Sequence, residues 1–416
     1  MRSAIIAQCF GSLAYIVVTR GLMLVYLTRL GIPSSRVLVY LSLPEFLGAA
    51  IHIPCAISAD RKGIKRLGVP GLILTPLGFS GLSLAPLASA FWVEPGIALG
   101  IAVFGIGEKM MEAGWFSLLS PIVPTTTRGR FFGRLRTSWQ TAGMIYVAAC
   151  AVVLTWDDSI GTYQYLMGIA TFGLIIRIVY YARMPELETP PKHPVAVRAA
   201  LGEVIRAPGY TSFCAYIMLM GLCTGAVVYL FGLVEIDVLE LSATHVVWLG
   251  TATMIGSVLG FLIGGRAVDR YSTRPVFLVC HFGYAMVLAL FLMRHLAGDA
   301  LIPALATIHL LLGMLLAASS IAISTELLAL IPAANKSLST SLAGMMSRMS
   351  AAVCGMIAAW VLDQGILAER WTLGNATFSN YDSILLLFTV MVLLFVATLG
   401  LVPSVIHKAE WVPGRG

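Results

Sequence analysis

Ala59-Asp60-Arg61-Lys62-Gly63-Ile64-Lys65-Arg66 is a charged island between two apolar runs, each about 20 residues long, the length of a bilayer crossing. A second island, Gly265-Arg266-Ala267-Val268-Asp269-Arg270-Tyr271-Ser272-Thr273-Arg274, follows at close to half of the 416-residue chain and is flanked in the same way. At nearly the same offset, Pro124, Arg128 and Gly129 are answered by Pro332, Asn335 and Lys336. The chain therefore reads as two related halves.

Hydrophobic residues make up 58% of the sequence and charged ones 11%, well below the roughly 25% charged share of a soluble protein. This is the composition of a polytopic membrane protein. The net charge of +7 does not point to nucleic acid, because the basic residues sit in short loops between spans and form no aromatic-interleaved patch. All seven cysteines lie inside apolar runs without a CxxC pair, so they read as small apolar residues rather than disulfides or metal ligands.

Windows long enough to cross a bilayer fall near 4–28, 37–57, 67–90, 96–120, 134–155 and 160–183, and again near 210–234, 245–265, 275–294, 301–328, 339–362 and 382–404. The expectation is an all-α protein of twelve transmembrane helices in two six-helix bundles, 1–183 and 210–416. Residues 184–209, rich in proline, form an irregular or partly helical linker between them. The first window is too long for a signal-peptide core and is expected to remain as a span. Most Lys and Arg fall on one side if both termini are cytoplasmic, leaving Arg29, Arg36, Arg294 and Arg370 for the outer loops. Asn375-Ala376-Thr377 in the longest outer loop is a formal glycosylation sequon.

The first island resembles the loop signature of the major facilitator superfamily, roughly Gly-x-x-x-Asp-Arg-x-Gly-Arg-Arg, through Asp60, Arg61, Gly63, Lys65 and Arg66. Ala56 stands in place of the first glycine, whereas the second copy keeps Gly265, Asp269 and Arg270 and replaces the later glycine by Ser272. The resemblance covers the whole chain. It implies two pseudo-symmetric bundles of paired three-helix repeats around a midplane solute site, and carriage by alternating access. It also implies that Asp60, Arg61, Gly63, Lys65, Arg66, Gly265, Asp269 and Arg270 form conformational latches. A short pattern at Pro185-Glu186 is similar to one in the sugar-porter subfamily, and the fourth and fifth spans lack the pattern of the family's drug antiporters.

Charge inside a membrane costs about 2.5–3.5 kcal/mol per residue at a helix centre, so each instance asks for a partner or a function. Counting residues from the span ends places Arg20, Glu45, Glu108, Lys109, Glu112 and Arg348 near the midplane, and Arg177 and Glu326 near cytoplasmic ends, where snorkelling accounts for them. Glu108, Glu112 and Trp115 share one helix face bordered by Lys109. Two carboxylates this close disfavour joint ionisation, which suits proton coupling; the other reading is a structural network neutralised by Lys109 or Arg20. Tyr15 and Thr19 belong to a polar stripe on the first span with Gln8 and Ser12, fit to line an aqueous cavity, whereas Arg20 points away from the stripe's centre and reads as a solute contact or a partner of Glu45.

Arg348 is the only midplane charge of the second half, with Gln140 as its repeat counterpart. A guanidinium fork there suits a carboxylate or phosphate ligand, or a salt bridge to one of the glutamates. Small residues Gly256, Gly260 and Gly264 mark a close helix contact, matched in the first half by Gly48, His52 and Ala56, where His52 reads as a buried, hydrogen-bonded side chain, the other reading being a proton relay.

The reading is a secondary active transporter, monomeric and in the lipid bilayer of a cell membrane, moving a small anionic or zwitterionic solute, with protons as coupling ion. No catalytic residue, metal site or cofactor is expected, and no enzyme motif stands in a suitable context. A multidrug efflux pump of the same fold, or a non-transporting sensor on this scaffold, are the rival readings.

Overall fold

The computed structural model describes residues 1–119, 121–123, 128–187, 197–330, 336–374 and 376–400. The echoes at Pro124, Pro332 and Asn335, the sequon at Asn375 and the side chain of Asp60 lie outside the described residues. The first half is built from α1 (Arg2–Thr19), α2 (Leu22–Arg29), α3 (Ser34–Lys62), α4 (Ile64–Leu84), α5 (Ala90–Leu119), α6 (Arg128–Trp156) and α7 (Ile160–Ala182). After α8 (Val197–Arg206) come α9 (Tyr210–Thr224), α10 (Val227–Leu233), α11 (Ala243–Tyr271), α12 (Thr273–Leu292), α13 (Leu301–Leu330), α14 (Lys336–Asp363) and α15 (Asn380–Phe395).

Among the described residues, eleven stretches are long and apolar enough to cross a membrane. One of them, Thr273–Leu327, runs for 55 residues and takes in α12 and most of α13, separated by the short helical stretch Met293–Ala300 with a kink at Gly298. Packing follows the positions the spans leave apolar. In the first half α4 lies along α5, and α1 along α6 and α7; in the second α12 lies along α13 and α15, and α14 along α9.

Two compact units result. The first comprises Met1–Val195 together with Glu235–Trp248, and the second Ala196–Val234 with Leu249–Gly416. Within the first unit Ser34 Oγ donates to Asp237 Oδ2 at 2.6 Å, tying the start of α3 to that later segment.

Two expected spans are not continuous helices. The window 4–28 breaks at Arg20-Gly21, where Gly21 has φ 94° and ψ −35°, a conformation that no helical residue adopts. The window 210–234 breaks at Gly225-Ala226, and a methyl group on Gly225 would collide with Ala351 of α14. Apolarity marks a span without showing whether its hydrogen-bond ladder is unbroken. The linker, expected to be irregular or partly helical, contains α8, whose Val204 is buried against Tyr210 and Cys214.

The long loop near the C-terminal end carries a feature the apolar pattern does not encode, an antiparallel hairpin of β1 (Arg370–Leu373) and β2 (Ala376–Ser379). Trp371 faces Phe378 across it, rings 4.6 Å apart, and His295 meets Phe378 edge-on at 5.6 Å.

The duplicated islands fold alike. Gly63 ends α3 with φ 103° and ψ 143°, and Ser272 ends α11 with φ 70° and ψ 174°. The second copy thus keeps a left-handed break with a side chain that the region does not favour, a strain of about 1–3 kcal/mol. Ser272→Gly should therefore raise the unfolding temperature in detergent, by roughly 2–4 °C for each kcal/mol relieved. An unchanged or lowered temperature would show that Ser272 is held there without strain.

Candidate functional site

The charges inside the first unit sort into two groups. Arg177 of α7, buried with 3% of its side chain exposed, pairs with Glu108 of α5, which is 12% exposed. Lys109 of α5, 4% exposed, lies 3.2 Å from Glu45 Oε1 on α3 and 3.1 Å from Glu112 Oε2 on its own helix. The two carboxylates are 23% and 33% exposed.

Arg177 is thus no snorkelling residue. Its buried charge is answered by Glu108, which the sequence places on the face of Glu112 but which points into a different pair. One turn of α5 is enough for neighbouring carboxylates to meet different cations.

Both cations occupy space that glycines leave. A methyl group on Gly11 of α1 would run into the Arg177 side chain, and one on Gly48 of α3 would lie 2.6 Å from Lys109 Cγ. Gly105 of α5 meets the backbone of Pro44 at 2.8 Å by the same construction, which draws α3 and α5 together around the triad. The small-residue stripe of the first half therefore serves to admit a charged side chain. In the second half Gly256, Gly260 and Gly264 instead press directly on Leu310, Met314 and Ala318 of α13, as their spacing implies.

The other expected site residues are placed as follows. Tyr15 is exposed on α1 and its carbonyl accepts from Thr19 Oγ1 at 3.0 Å, while Arg20 caps the end of that helix. Gln140 is buried on α6 and Arg348 half-buried on α14. Trp115 stacks on Tyr181 at 6.3 Å within a core that includes Leu72 and Met111, and this packing accounts for it. His52 is buried on α3.

At the expected latch, Glu186 accepts from Ile64 N at 2.5 Å and Lys65 N at 3.4 Å, so its carboxylate satisfies the open N–H groups at the start of α4. Lys65 Nζ donates to Ala182 O at 2.7 Å. Arg61 and Arg66, like Asp269 and Arg270 of the second island, are exposed.

Sequence reasoning missed three buried polar groupings in the second unit. Arg294 grips Asp382 through two bonds, 2.6 Å to Oδ1 and 2.9 Å to Oδ2, the pair being 5% and 0% exposed. Tyr216 Oη lies 2.6 Å from His281 Nδ1, whose Nε2 is 3.2 Å from Ser319 Oγ, and His309 Nδ1 is 2.9 Å from Thr253 Oγ1. Glu326, expected to snorkel, is buried on α13 and accepts from Thr273 Oγ1. The partners lie 38 to 88 positions apart, so no local spacing announces them.

Among the described residues no group of three or more His, Cys, Asp or Glu could hold a metal ion. Long apolar helices with charge pairs inside them are those of a multi-pass membrane protein. No protein-family model and no curated protein sequence matches the chain. Among solved structures, a mutant of nucleoside transporter NupG superposes with a TM-score of 0.71 at 14% identity, covering 96% of this chain and 98% of that one. A POT family transporter in complex with 5-aminolevulinic acid gives 0.73 at 12% identity, over 97% and 96%. A D-xylose-proton symporter gives 0.67 at 12% identity, over 96% of each chain. These likenesses establish the fold, that of major facilitator transporters.

Proposed function

We propose that the protein is a secondary active transporter that moves a small anionic or zwitterionic solute across a cell membrane by alternating access, coupled to protons. The observation that carries this reading is the set of paired ionisable side chains kept inside apolar helices, which a purely structural membrane protein has no need to maintain. Among the structural neighbours are a nucleoside transporter, a transporter in complex with 5-aminolevulinic acid and a D-xylose-proton symporter, which support a small solute and, in the last case, a proton.

In this reading Arg348 of the second unit receives the solute's carboxylate or phosphate in a planar, two-bond contact. Gln140, Arg20, Tyr15 and Thr19 are the further candidates for contact with solute, Trp115 remaining with the core. Glu45, Lys109, Glu108 and Glu112 are the candidates for proton coupling. The two charged loops act as latches on the cytoplasmic side, where both termini lie, and 1–183 and 210–416 are the moving bundles of a monomer joined by 184–209.

The test is uptake into proteoliposomes under an imposed pH gradient, across organic acids, zwitterionic amino acids, neutral sugars and lipophilic cations. A carboxylate-bearing solute should accumulate with the gradient. Arg348→Lys should weaken its binding by about tenfold or more, because an ammonium keeps the charge without the fork. A neutral sugar or lipophilic cation bound equally well by wild type and Arg348→Ala would overturn the solute assignment, and the absence of any flux would favour a sensor.

A further inference from the structure

We propose that Gly344 of α14 sets the size of the solute: the room left by its missing side chain receives the group that an organic acid carries next to its acid function. This rests on the reading of the chain as a carrier whose Arg348 binds an anionic or zwitterionic solute. Within that class it selects acids with a bulky substituent near the carboxylate or phosphate.

The glycines within the spans differ in what stands beside them. In the second unit Gly221 and Gly225 abut Ser350 and Ala351 of α14, Gly283 of α12 abuts Leu315, and Gly313 of α13 abuts the carbonyl of Thr253. A methyl group added at any of these would collide, so they serve to bring helices together. At Gly81 of α4 and Gly168 of α7, by contrast, an added methyl group meets nothing within 4 Å among the described residues. Both are exposed and stand among exposed apolar side chains, Leu77 and Leu84 beside the first, Tyr165 and Phe172 beside the second, as on a face turned to lipid.

Gly344 fits neither pattern. A methyl group on it also meets nothing within 4 Å among the described residues, yet Gly344 is half-buried. It shares its face of α14 with Ser341, three residues before it, and Arg348, four residues after it, both half-buried. A charged side chain within a span turns away from hydrocarbon, so the open space beside Gly344 lies on a polar side of the helix. A glycine inside a helix also lowers stability relative to alanine, and here no close neighbour among the described residues requires one.

Arg348 does not use this room itself. Helical side chains lean toward the N-terminus, so an arginine four residues on is directed over the turn that holds Gly344. In the first unit Gly11 and Gly48 are used in just that manner, with the side chains of Arg177 and Lys109 lying against them. No atom of Arg348 comes within 4 Å of the place a methyl group on Gly344 would take. With the guanidinium engaging the acid function, Gly344 leaves room one turn away for what the acid carries with it, and a side chain at position 344 would take that room from the solute.

The test is uptake into proteoliposomes of two series of acids graded by side group: glycine, alanine, leucine and phenylalanine, and glycolate, lactate and phenyllactate. Wild type should carry the bulky members of at least one series. In Gly344→Leu the ratio of uptake of the bulky members to that of the smallest should fall by about tenfold or more, with Gly344→Ala in between. If Gly344→Leu does not fold, Gly344→Ala and Gly344→Val carry the comparison. The unfolding temperature of Gly344→Ala in detergent needs no solute, and it should stay level or rise by roughly 2 °C, as for an alanine that finds room in a helix.

A lowered unfolding temperature in Gly344→Ala would show that packing requires the glycine and would overturn the assignment. So would an equal loss for every member of a series, an unchanged ratio, or a wild type that carries no bulky member. The same uptake in Arg348→Ala keeps this inference apart from the reading it rests on. Acids carried equally well without the arginine would refute that reading, whereas uptake that needs Arg348 but shows the same ratio in Gly344→Leu would refute the size limit alone.

Discussion

Arg177→Met is expected to lower the unfolding temperature of the purified protein by an amount on the order of 10 °C, while Arg177→Met combined with Glu108→Gln recovers most of the loss. The single substitution strands a carboxylate that is 12% exposed among apolar helices, and breaking a buried pair by removing one partner costs about 3–5 kcal/mol. At roughly 2–4 °C per kcal/mol for a unit of this size, that is a large displacement. The double substitution removes both charges at similar volume, and well-packed replacements of buried ion pairs are often neutral. Thermal unfolding of the four combinations forms a double-mutant cycle. A coupling near zero would mean that Arg177 and Glu108 are each balanced by something other than the other.

A loss of similar size is expected for Asp382→Ala in the second unit. Asp382 is fully buried and accepts four bonds: two from Arg294, one from Ser379 N at 2.8 Å and one from Ser379 Oγ at 2.8 Å. Its own N–H is returned to Ser379 Oγ, completing a capping box at the start of α15. Removing the carboxylate strands the guanidinium, about 3–5 kcal/mol, and leaves Ser379 N without its acceptor in the capping box, although the Ser379 side chain still caps the helix. Asp382→Asn should fall between wild type and Asp382→Ala, because it retains acceptors for Ser379 but not the charge. Limited proteolysis at the β1–β2 hairpin alongside the thermal measurement would show whether the loss begins there. A hairpin equally resistant in Asp382→Ala would place the pair's role within the helices.

The fold was legible because its signals are long-range in period and crude in chemistry. Apolar runs of bilayer length and the duplication of Asp60-Arg61 at Asp269-Arg270 need no knowledge of contacts. The breaks at Arg20-Gly21 and Gly225-Ala226 escaped because one glycine within an apolar run looks the same whether it packs a helix or interrupts it. The hairpin escaped because four-residue strands in a loop leave no mark on hydropathy.

Of the site, the residue types and depths were readable, but the partners were not. Glu108 and Glu112 lie one turn apart on one helix, yet their cations come from α7 and from α5 itself. Arg177 and Glu326 were read as reaching for water when each is enclosed by a partner on another helix. Which of two nearby acids meets which base depends on helix rotation, and nothing in a single sequence fixes that angle. Glu186, by contrast, left a trace in the Pro185-Glu186 pattern, although its contact with Ile64 spans 122 positions.

The glycine that makes room for Arg177 also restricts how the pair can change over time. With Arg177 in place, any larger residue at position 11 collides with its side chain, so Gly11→Ala is harmful first and tolerable only after the arginine has gone. The arginine in turn can be lost only together with Glu108. A lineage leaving this arrangement must therefore pass through a fixed order of substitutions, with its least fit intermediate at the outset. Such sign epistasis entrenches a charged pair inside a membrane even where an apolar core would be equally stable. It also makes joint variation at positions 11, 108 and 177 across homologues the signature by which this arrangement can be followed.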